Sequence, residues 1–295
     1  MSSPPAIPRR ALVLLVVLTL VWGTNWPLFP HAVREVSVWT FRSIAMTVSG
    51  LLLMALAHLR GEPLVLPRRH WRTVLLGTFF YLVLWNLTST YAAVLIPSGQ
   101  AAVLGFTMPL WSALIGWAVL GERLSARMVL ALLLGGAGVT LLMVDSFQAY
   151  ARAPLGLAVG LLSAVGWAIG TLILQRGRVQ VPVLVLTAWQ LLIGAVPMTA
   201  GALLFGDGQL FMPSWQTVAI IAWITLVPMC IGNFCWFAIV GLLPGPIAGL
   251  SSVMVPVVAM ISGAIVNGEP LTALHGTAMA ACASALLLAL GRKKS

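Results

Sequence analysis

The sequence predicts an all-α integral membrane protein: ten transmembrane helices in two inverted five-helix repeats around a central cavity. Three observations support this fold class, namely an apolar composition, an internal repeat and a one-sided distribution of basic residues. Of the 295 residues, 60% are hydrophobic and 7% are charged, and the mean hydropathy is +1.04. Because a soluble domain carries about 25% charged residues, this chain could not maintain a water-facing surface.

A long apolar stretch occurs twice in the chain. Residues 95–124 and 242–271 align without a gap at a constant offset of 147 residues (256 minus 109). The identical positions include Leu95/Leu242, Pro97/Pro244, Ala101/Ala248, Pro109/Pro256, Gly116/Gly263, Gly121/Gly268, Glu122/Glu269 and Leu124/Leu271, with Asn86/Asn233 upstream in the same register. Apolar segments can resemble one another by chance, but the paired Pro and Gly-Glu positions argue against that alternative. A repeat of fixed period predicts two halves, residues 1–147 and 148–295.

Ten hydrophobic segments have the length of membrane-spanning helices, which need about 20 apolar residues. We number them spans 1 to 10 and place them at 11–31, 37–59, 72–94, 98–119, 126–144, 154–175, 182–204, 215–239, 243–265 and 272–290. The first segment lacks a small-residue cleavage site and leads into further spans, which indicates a retained helix rather than a signal peptide. The segments also lack the alternation of strands, and open sheets do not satisfy their backbone in lipid.

Basic residues cluster at one membrane surface. Thirteen lie before span 1, after spans 4, 6 and 10, or between spans 2 and 3, whereas only Arg34 and Arg152 lie in the loops of the other side. The positive-inside rule therefore places both termini in the cytoplasm. The net charge of +10 reflects this topology and does not indicate a nucleic-acid partner. Five spans per half is an odd number, so the halves run in opposite senses, as in transporters that alternate access around a central site.

Three segments resemble a known family. LVWGTNWPLF in span 1, PLWSALIGWAVLGERLS in span 4 and PVVAMISGAIVNGEPLT in span 9 resemble the EamA-type branch of the drug/metabolite transporter superfamily. The overall sequence is also similar to bacterial aromatic amino-acid exporters of the YddG type, without a motif that isolates them. The resemblance implies a multi-pass protein of the bacterial inner membrane that exports small organic metabolites through a central cavity. Aromatic or other hydrophobic amino acids are then the expected substrates.

Among the prolines inside predicted spans, three lie near Gly and Asn residues or within the internal repeat, and each removes the donor for the carbonyl four residues earlier. The pairs are Pro27 with Gly23, Pro109 with Gly105, and Pro256 with Ser252. In lipid such carbonyls need protein or water partners. We expect these positions to border a cavity or act as hinges, most of all the repeat-equivalent Pro109 and Pro256. A tolerated kink packed against neighbouring helices is the alternative.

Polar side chains inside the spans are the candidates for binding a substrate's polar groups. An unpaired amide in mid-span is costly, so Asn86 and Asn233 either hydrogen-bond between helices or point at substrate. Asn25 and Gln190 are similar but have no identical repeat partner. Arg42 lies about one turn from the predicted outer boundary. One alternative is that Arg42 snorkels to the interface. The other is a functional role, in which it binds a substrate carboxylate or anchors an outer gate.

Deep aromatic residues are the candidates for the apolar walls of the site. The chain has 12 tryptophans, and some are expected in interface belts. Trp22, Tyr81, Trp85, Trp167 and Trp236 lie deeper, and as a group they suit a large apolar or aromatic solute. Packing within the bundle is the alternative for each. Together with the polar candidates they form the predicted substrate site.

The acidic residues bear on coupling and on catalysis. No carboxylate lies in the middle of a predicted span, which favours a facilitator over a proton-driven antiporter. Glu122 and Glu269 lie in Gly-Glu turns before Ser125 and Thr272, the expected N-caps of spans 5 and 10. An exporter of multiple drugs or amphipathic cations remains an alternative. An intramembrane enzyme is a weaker one, because the carboxylate and Ser/His pairs that such enzymes use in mid-span are missing.

Cofactors and protein partners are not indicated. Cys230, Cys235 and Cys282 lie in apolar runs without ligand-like spacing, so we expect neither a metal site nor a disulfide. The expected partners are a small-molecule substrate and the lipid bilayer. The sequence is compatible with a monomer and does not fix the oligomeric state.

Overall fold

Ten helical segments, one for each predicted span, make up the part of the chain that the structure describes. This structure is a computed structural model, and it describes residues 9–145, 147–206, 213–243, 254–268 and 271–290. Within those ranges there is no strand. Seven of the segments are long and apolar enough to cross a membrane, and Ala126–Leu141 and Val255–Asn267 are shorter apolar helices.

Several spans consist of more than one helix. In the first half, span 1 comprises the helices Arg9–Gly23, Trp26–Leu28 and Phe29–Ala32, and span 2 is the helix Val38–Leu59. Span 3 comprises Arg68–His70, Trp71–Thr78, Phe79–Leu84 and Trp85–Leu95. Span 4 comprises Ser98–Gly105 and Met108–Ala118, and span 5 is Ala126–Asp145. A short helix, Phe147–Arg152, precedes the second half. There, span 6 is Pro154–Gly177, span 7 Val183–Phe205, span 8 Trp215–Ile224, Thr225–Gly232 and Asn233–Leu242, span 9 Val255–Asn267, and span 10 Ala273–Leu290.

Equivalent helices of the two halves make equivalent contacts with the opposite half. Span 1 packs against spans 8 and 9, and its counterpart span 6 packs against spans 3 and 4. Equivalent spans also pair directly, span 2 with span 7 and span 5 with span 10. In the first of these pairs Trp39 stacks on Phe205, while Gly50 lies against Leu192. Because the start of span 2 therefore meets the end of span 7, the repeats run in opposite directions, and the predicted inverted fold is confirmed.

The three prolines do not lie inside continuous helices, contrary to the sequence expectation. Pro27, Pro109 and Pro256 each occupy the first turn of a helix, and at Pro27 and Pro109 that helix follows a break in the span. A proline is tolerated there because the first N–H groups of a helix have no intrahelical acceptor. The expected need for a carbonyl partner is met at Gly23, whose oxygen accepts a hydrogen bond of 3.2 Å from Ser262 Oγ of span 9. Ser252 lies outside the described residues.

Two π-helical segments occur at equivalent places in the halves. Phe79–Leu84 interrupts span 3, and Thr225–Gly232 interrupts span 8. The repeat offset of 147 maps residues 79–84 onto residues 226–231, inside the second segment. Single π turns within α-helices occur frequently at functional sites. These segments widen the helices where both halves face the centre of the bundle.

The glycines of the two Gly-Glu motifs have the same backbone conformation, and Glu269 lies outside the described residues. Gly121 and Gly268 both have φ of +67°, a conformation that glycine adopts without steric cost. The expected N-caps follow the turns: Ser125 Oγ accepts from the backbone N–H of Met128, and Thr272 Oγ1 accepts from that of His275. The repeated motif is therefore a turn that reverses the chain between two antiparallel spans.

Candidate functional site

One cavity lies at the centre of the bundle, and both halves contribute to it. Its walls are Trp22, Asn25, Trp26, Phe29, Arg42, Tyr81, Leu82, Trp85, Asn86, Phe106, Trp167, Pro228, Met229 and Asn233. These residues come from spans 1, 2, 3, 4, 6 and 8. The free volume is about 40 Å³, whereas ligand pockets usually measure about 300–1,000 Å³. The cavity is therefore contracted in this conformation, with room for little more than water.

Aromatic rings form one side of the cavity. Trp26 stands edge-on to Trp85, with ring centroids 6.2 Å apart, and Phe106 lies within 6.1 Å of both rings. Gly105 makes room for this cluster, because a methyl group there would lie 3.0 Å from the Trp85 ring and 3.2 Å from the Trp26 ring. The break after Gly105 thus serves the packing of the cavity wall.

A second aromatic group crosses from one half to the other. Trp167 of span 6 lies 5.8 Å from Tyr81 and 4.5 Å from Trp236, measured between ring centroids. Trp236 is 1% exposed and lies behind Trp22 and Trp167, so it supports the lining residues rather than lining the cavity itself. Trp22 Nε1 donates to the carbonyl of Pro228 at 3.3 Å, within the π-helical segment of span 8.

Arg42 is the cation of the central cavity. It is 1% exposed, so it does not snorkel to the interface. Its guanidinium lies over the rings of Phe29 and Phe41, 4.5 and 4.7 Å from their centroids. Nε donates to Thr90 Oγ1 at 2.7 Å, whereas Nη2 is buried without a hydrogen-bond partner. A buried donor without a partner costs free energy, and this one borders the cavity.

Asn25 supplies an acceptor to the same cavity. It lies in the break of span 1, between Gly23 and the short helix Trp26–Leu28, and it is 7% exposed. Its side-chain oxygen Oδ1 is buried and has no hydrogen-bond partner. One unpaired donor and one unpaired acceptor therefore border a single aromatic cavity, and a bound molecule could satisfy both.

Asn86 and Asn233 make equivalent hydrogen bonds within their own helices. Asn86 Nδ2 donates to the carbonyl of Leu82 at 2.8 Å, and Asn233 Nδ2 donates to that of Met229 at 2.9 Å. The offset of 147 relates both donors and both acceptors. Asn233 Oδ1 also accepts from the Tyr81 hydroxyl at 3.0 Å. Both asparagines line the cavity, and Asn233 joins the two halves.

Several predicted site residues lie elsewhere. Gln190 is fully buried in span 7, its amide atoms have no hydrogen-bond partner, and it does not border the central cavity. Pro27 lies at the break in span 1, Pro256 lies in the first turn of the helix of span 9, and Pro109 lines a second cavity described below. The sequence did not predict six of the lining residues: Trp26, Phe29, Phe106, Leu82, Pro228 and Met229. The sequence signal for Trp26, Phe29 and Phe106 was their position next to the helix breaks at Asn25 and Gly105, because in this fold the residues next to those breaks border the cavity.

The cavity wall carries a positive charge and no acidic residue. No carboxylate is among the described residues that border it, and Arg42 is its single charged side chain. A cationic solute would face this guanidinium at short range without a counter-charge, and like charges in a poorly solvated site repel strongly.

Relatives of the chain are transporters. It is 26% identical over 265 residues to the uncharacterized transporter YvbV of Bacillus subtilis, in an alignment that covers 89% of this chain and 86% of that protein. It is 23% identical over 280 residues to a probable amino-acid metabolite efflux pump of Escherichia coli K12, covering 90% of each. It is 22% identical to the uncharacterized inner membrane transporter YedA of Escherichia coli K12, covering 93% of this chain and 88% of that one.

Structural comparison agrees with the fold. A solved crystal structure superposes with a TM-score of 0.77 at 21% identity, covering 95% of this chain and 96% of the other. The profile of the EamA-like transporter family matches residues 9–144 and again residues 154–291. Because these two matches span most of the sequence, the protein is a membrane transporter, not an enzyme, and belongs to the EamA-like transporter family of the drug/metabolite transporter superfamily.

Proposed function

We propose that the protein exports aromatic or other hydrophobic amino acids across the bacterial inner membrane, by alternating access and as a facilitator. The observation that carries the proposal is that two residues of one aromatic cavity have unsatisfied polar atoms. Arg42 Nη2 is a donor without an acceptor, and Asn25 Oδ1 is an acceptor without a donor. An amino-acid zwitterion offers a carboxylate to the guanidinium and an ammonium group to the amide oxygen. The similarity to a probable amino-acid metabolite efflux pump supports the same substrate class.

The aromatic wall suits the side chain of such a substrate. An aromatic contact contributes about 0.5–1.5 kcal/mol beyond the area that it buries, and the rings of Trp26, Trp85 and Phe106 are already arranged edge-on. An amino acid does not fit in a volume of about 40 Å³, so the proposal requires the halves to separate before a substrate enters. Alternating access includes such a movement.

The charge of the cavity separates the proposal from its main alternative. An exporter of amphipathic cations needs a carboxylate at the cavity wall to balance the charge of its substrate. The described wall has the neutral acceptor Asn25 Oδ1, but its single charged side chain is the guanidinium of Arg42, which favours a substrate with a carboxylate.

Flux from proteoliposomes tests the substrate class. The purified protein should carry tryptophan or phenylalanine and should discriminate against tryptamine, which lacks the carboxylate. Arg42→Gln should raise the KM for tryptophan about tenfold or more, because a charge-assisted hydrogen bond is lost, and it should improve the relative rate for tryptamine. Faster transport of tryptamine than of tryptophan by the unmodified protein would overturn the proposal in favour of a cation exporter.

A tryptophan exchange tests the aromatic wall with a matched control. Trp85→Ala should weaken tryptophan flux several-fold at equal protein level. Trp223→Ala removes the same side chain from span 8, where it is 47% exposed, and should leave flux unchanged. Equal activity of both variants and the unmodified protein would show that Trp85 only packs.

The orientation is a further part of the proposal. The basic loops of the described chain meet at one end of the bundle, where Arg69 contacts Gln180 and Arg176 contacts Glu122. We call this end the basic face and assign it to the cytoplasm, with both termini there and the halves divided near residue 147. Cysteine labelling at positions 2 and 295 in intact cells tests the assignment, and periplasmic reactivity of either position would reverse it.

A further inference from the structure

A second cavity lies between the halves on the basic face. It has a volume of about 110 Å³ and is bordered by residues of spans 4, 5 and 6 and of the Gly-Glu turn. Trp167 borders both this cavity and the central one. We call the second space the basic-face cavity.

The Glu122 carboxylate is held at the wall of the basic-face cavity. The Glu122 N–H donates to the carbonyl of Gly116 at 2.9 Å, and the absence of a side chain at Gly116 leaves room for the carboxylate. A methyl group at Gly116 would lie 2.8 Å from Glu122 Oε2. Glu122 Oε1 accepts from Arg176 Nη2 at 3.0 Å, but the two side chains are 40% and 51% exposed. Exposed ion pairs contribute little to stability, so stability alone is a weak reason for this arrangement.

Unpaired hydroxyl groups face the same space. Thr171 is 5% exposed, and its Oγ1 is buried without a hydrogen-bond partner. Ser112 Oγ is likewise buried and unpaired, and both residues border the basic-face cavity. Buried hydroxyls normally have partners because leaving one unpaired costs free energy. Two hydroxyl acceptors and a carboxylate on the wall of one cavity are suitable partners for a cationic hydrogen-bond donor.

We propose that the basic-face cavity binds the ammonium group of an amino-acid substrate, through Glu122, Thr171 and Ser112, before the substrate passes Trp167 into the central cavity. The inference rests on the proposed function, because it takes an amino acid as the substrate. The ammonium group of the zwitterion then binds the Glu122 carboxylate on the basic face, and the carboxylate of the zwitterion binds the guanidinium of Arg42 in the centre. Displacement of Arg176 from Glu122 by the ammonium group frees the path between the halves.

The test compares two substrates that differ only in the ammonium group. Efflux of tryptophan and of indole-3-propionate, which lacks that group, is measured from proteoliposomes, and the ratio of their kcat/KM values is the readout. Glu122→Gln should lower this ratio about tenfold, because it removes a charge-assisted hydrogen bond. Thr171→Val should lower the ratio a few-fold without lowering thermal stability, since the hydroxyl has no bond to lose.

Arg176→Gln is the matched control. It breaks the same ion pair but keeps the carboxylate, so the ratio should stay unchanged or rise. If Glu122→Gln and Arg176→Gln lower both substrates equally, the pair only holds the halves together and the inference is overturned. An unmodified protein that carries neither substrate would instead overturn the proposed function. Transport of tryptophan with a ratio unaffected by Glu122→Gln would refute only the ammonium site.

Discussion

Asn86 and Asn233 make the same intrahelical hydrogen bond at equivalent positions of the two halves. Each amide donates to the carbonyl four residues earlier, next to a π-helical segment where the regular hydrogen bonding changes. The pairing is intrahelical, so the asparagines stabilise the widened turns rather than bond to each other. Asn233 also accepts a hydrogen bond from the Tyr81 hydroxyl of the other half, and among the described residues Asn86 has no counterpart of this bond.

This difference predicts unequal costs for two equivalent substitutions. Asn233→Ala should lower thermal stability in detergent more than Asn86→Ala, because it also leaves the buried Tyr81 hydroxyl without an acceptor. A double-mutant cycle with Tyr81→Phe should give a coupling energy of about 0.6 kcal/mol or more, the average for hydrogen bonds inside membranes. Additive effects of Tyr81→Phe and Asn233→Ala would mean that the bond between the halves contributes nothing.

At the scale of helices, interruptions form the site. Spans 1 and 4 break beside Asn25 and Gly105, and span 9 has a helix that starts at Val255. Spans 3 and 8 widen through π-helical segments. The interruptions of spans 1, 3 and 8 lie beside Asn25, Asn86 and Asn233, and these three polar side chains border the central cavity.

The sequence predicted the helices and the repeat because both depend on length, apolarity and spacing. It also placed Arg42, Asn25 and the deep tryptophans near one another, since burial of polar groups in lipid leaves few alternatives. It did not predict the π-helical segments. Phe79–Leu84 contains neither Pro nor Gly to mark a change of helix, and in Thr225–Gly232 the residue Pro228 marks an irregular helix without indicating its type. It placed Trp236 and Gln190 at the site from depth alone, and depth does not determine which face of a helix meets the cavity.

Span 6 lies close to span 3 because of small residues, and this packing yields a prediction. A methyl group at Gly170 would lie 2.5 Å from the Tyr81 nitrogen and 2.8 Å from the Gly77 carbonyl oxygen. Since neither backbone atom can move independently, Gly170→Ala should cost about 1–3 kcal/mol through overpacking. Gly135→Ala makes the same change in span 5, where the nearest atom is 3.6 Å away in Ala285, and should be neutral or stabilising. Equal melting temperatures for the two variants would contradict the close approach of spans 3 and 6.

The whole molecule is two halves that meet at three levels. The basic face has the Glu122–Arg176 contact, the centre has the Tyr81–Asn233 hydrogen bond, and the opposite face has contacts from Glu35 and His31 to the second half. A transporter that alternates access must break the first or the last of these while the centre adapts. The present conformation keeps all three, which agrees with its contracted cavity.

Acid should weaken the contact on the face opposite the basic one. Glu35 lies in the loop between spans 1 and 2, and the Ser214 N–H and hydroxyl donate to its carboxylate at 2.6 and 2.9 Å. The Ser214 backbone hydrogen bond is the main cause of a Glu35 pKa below its usual 4.5. A lowered folded-state pKa stabilises the protein above the unfolded value, and this contribution is lost as the pH falls through the folded value.

The corresponding measurement is thermal stability against pH for the unmodified protein and for Glu35→Gln. The unmodified protein should be the more stable at neutral pH, and the difference should shrink as the pH falls below about 4.5, where the carboxylate becomes protonated. Because Glu35 is exposed, the effect should be small and should weaken in high salt. A difference that persists unchanged at acid pH would mean that the charge of Glu35 has no part in the contact.

The described wall of the central cavity also predicts how transport is driven. Its charged side chain is Arg42, and no carboxylate borders it, so the wall lacks the acidic group through which a carrier usually couples to protons. A zwitterion has no net charge, and its passage should respond to neither a pH step nor a membrane potential. Proteoliposomes loaded with tryptophan should therefore release it down its gradient at the same rate with and without an imposed proton gradient or potassium diffusion potential. Uphill accumulation driven by the pH step would refute a facilitator. If the Glu122→Gln variant then lost this uphill accumulation, the carboxylate of the basic-face cavity would be identified as the proton carrier.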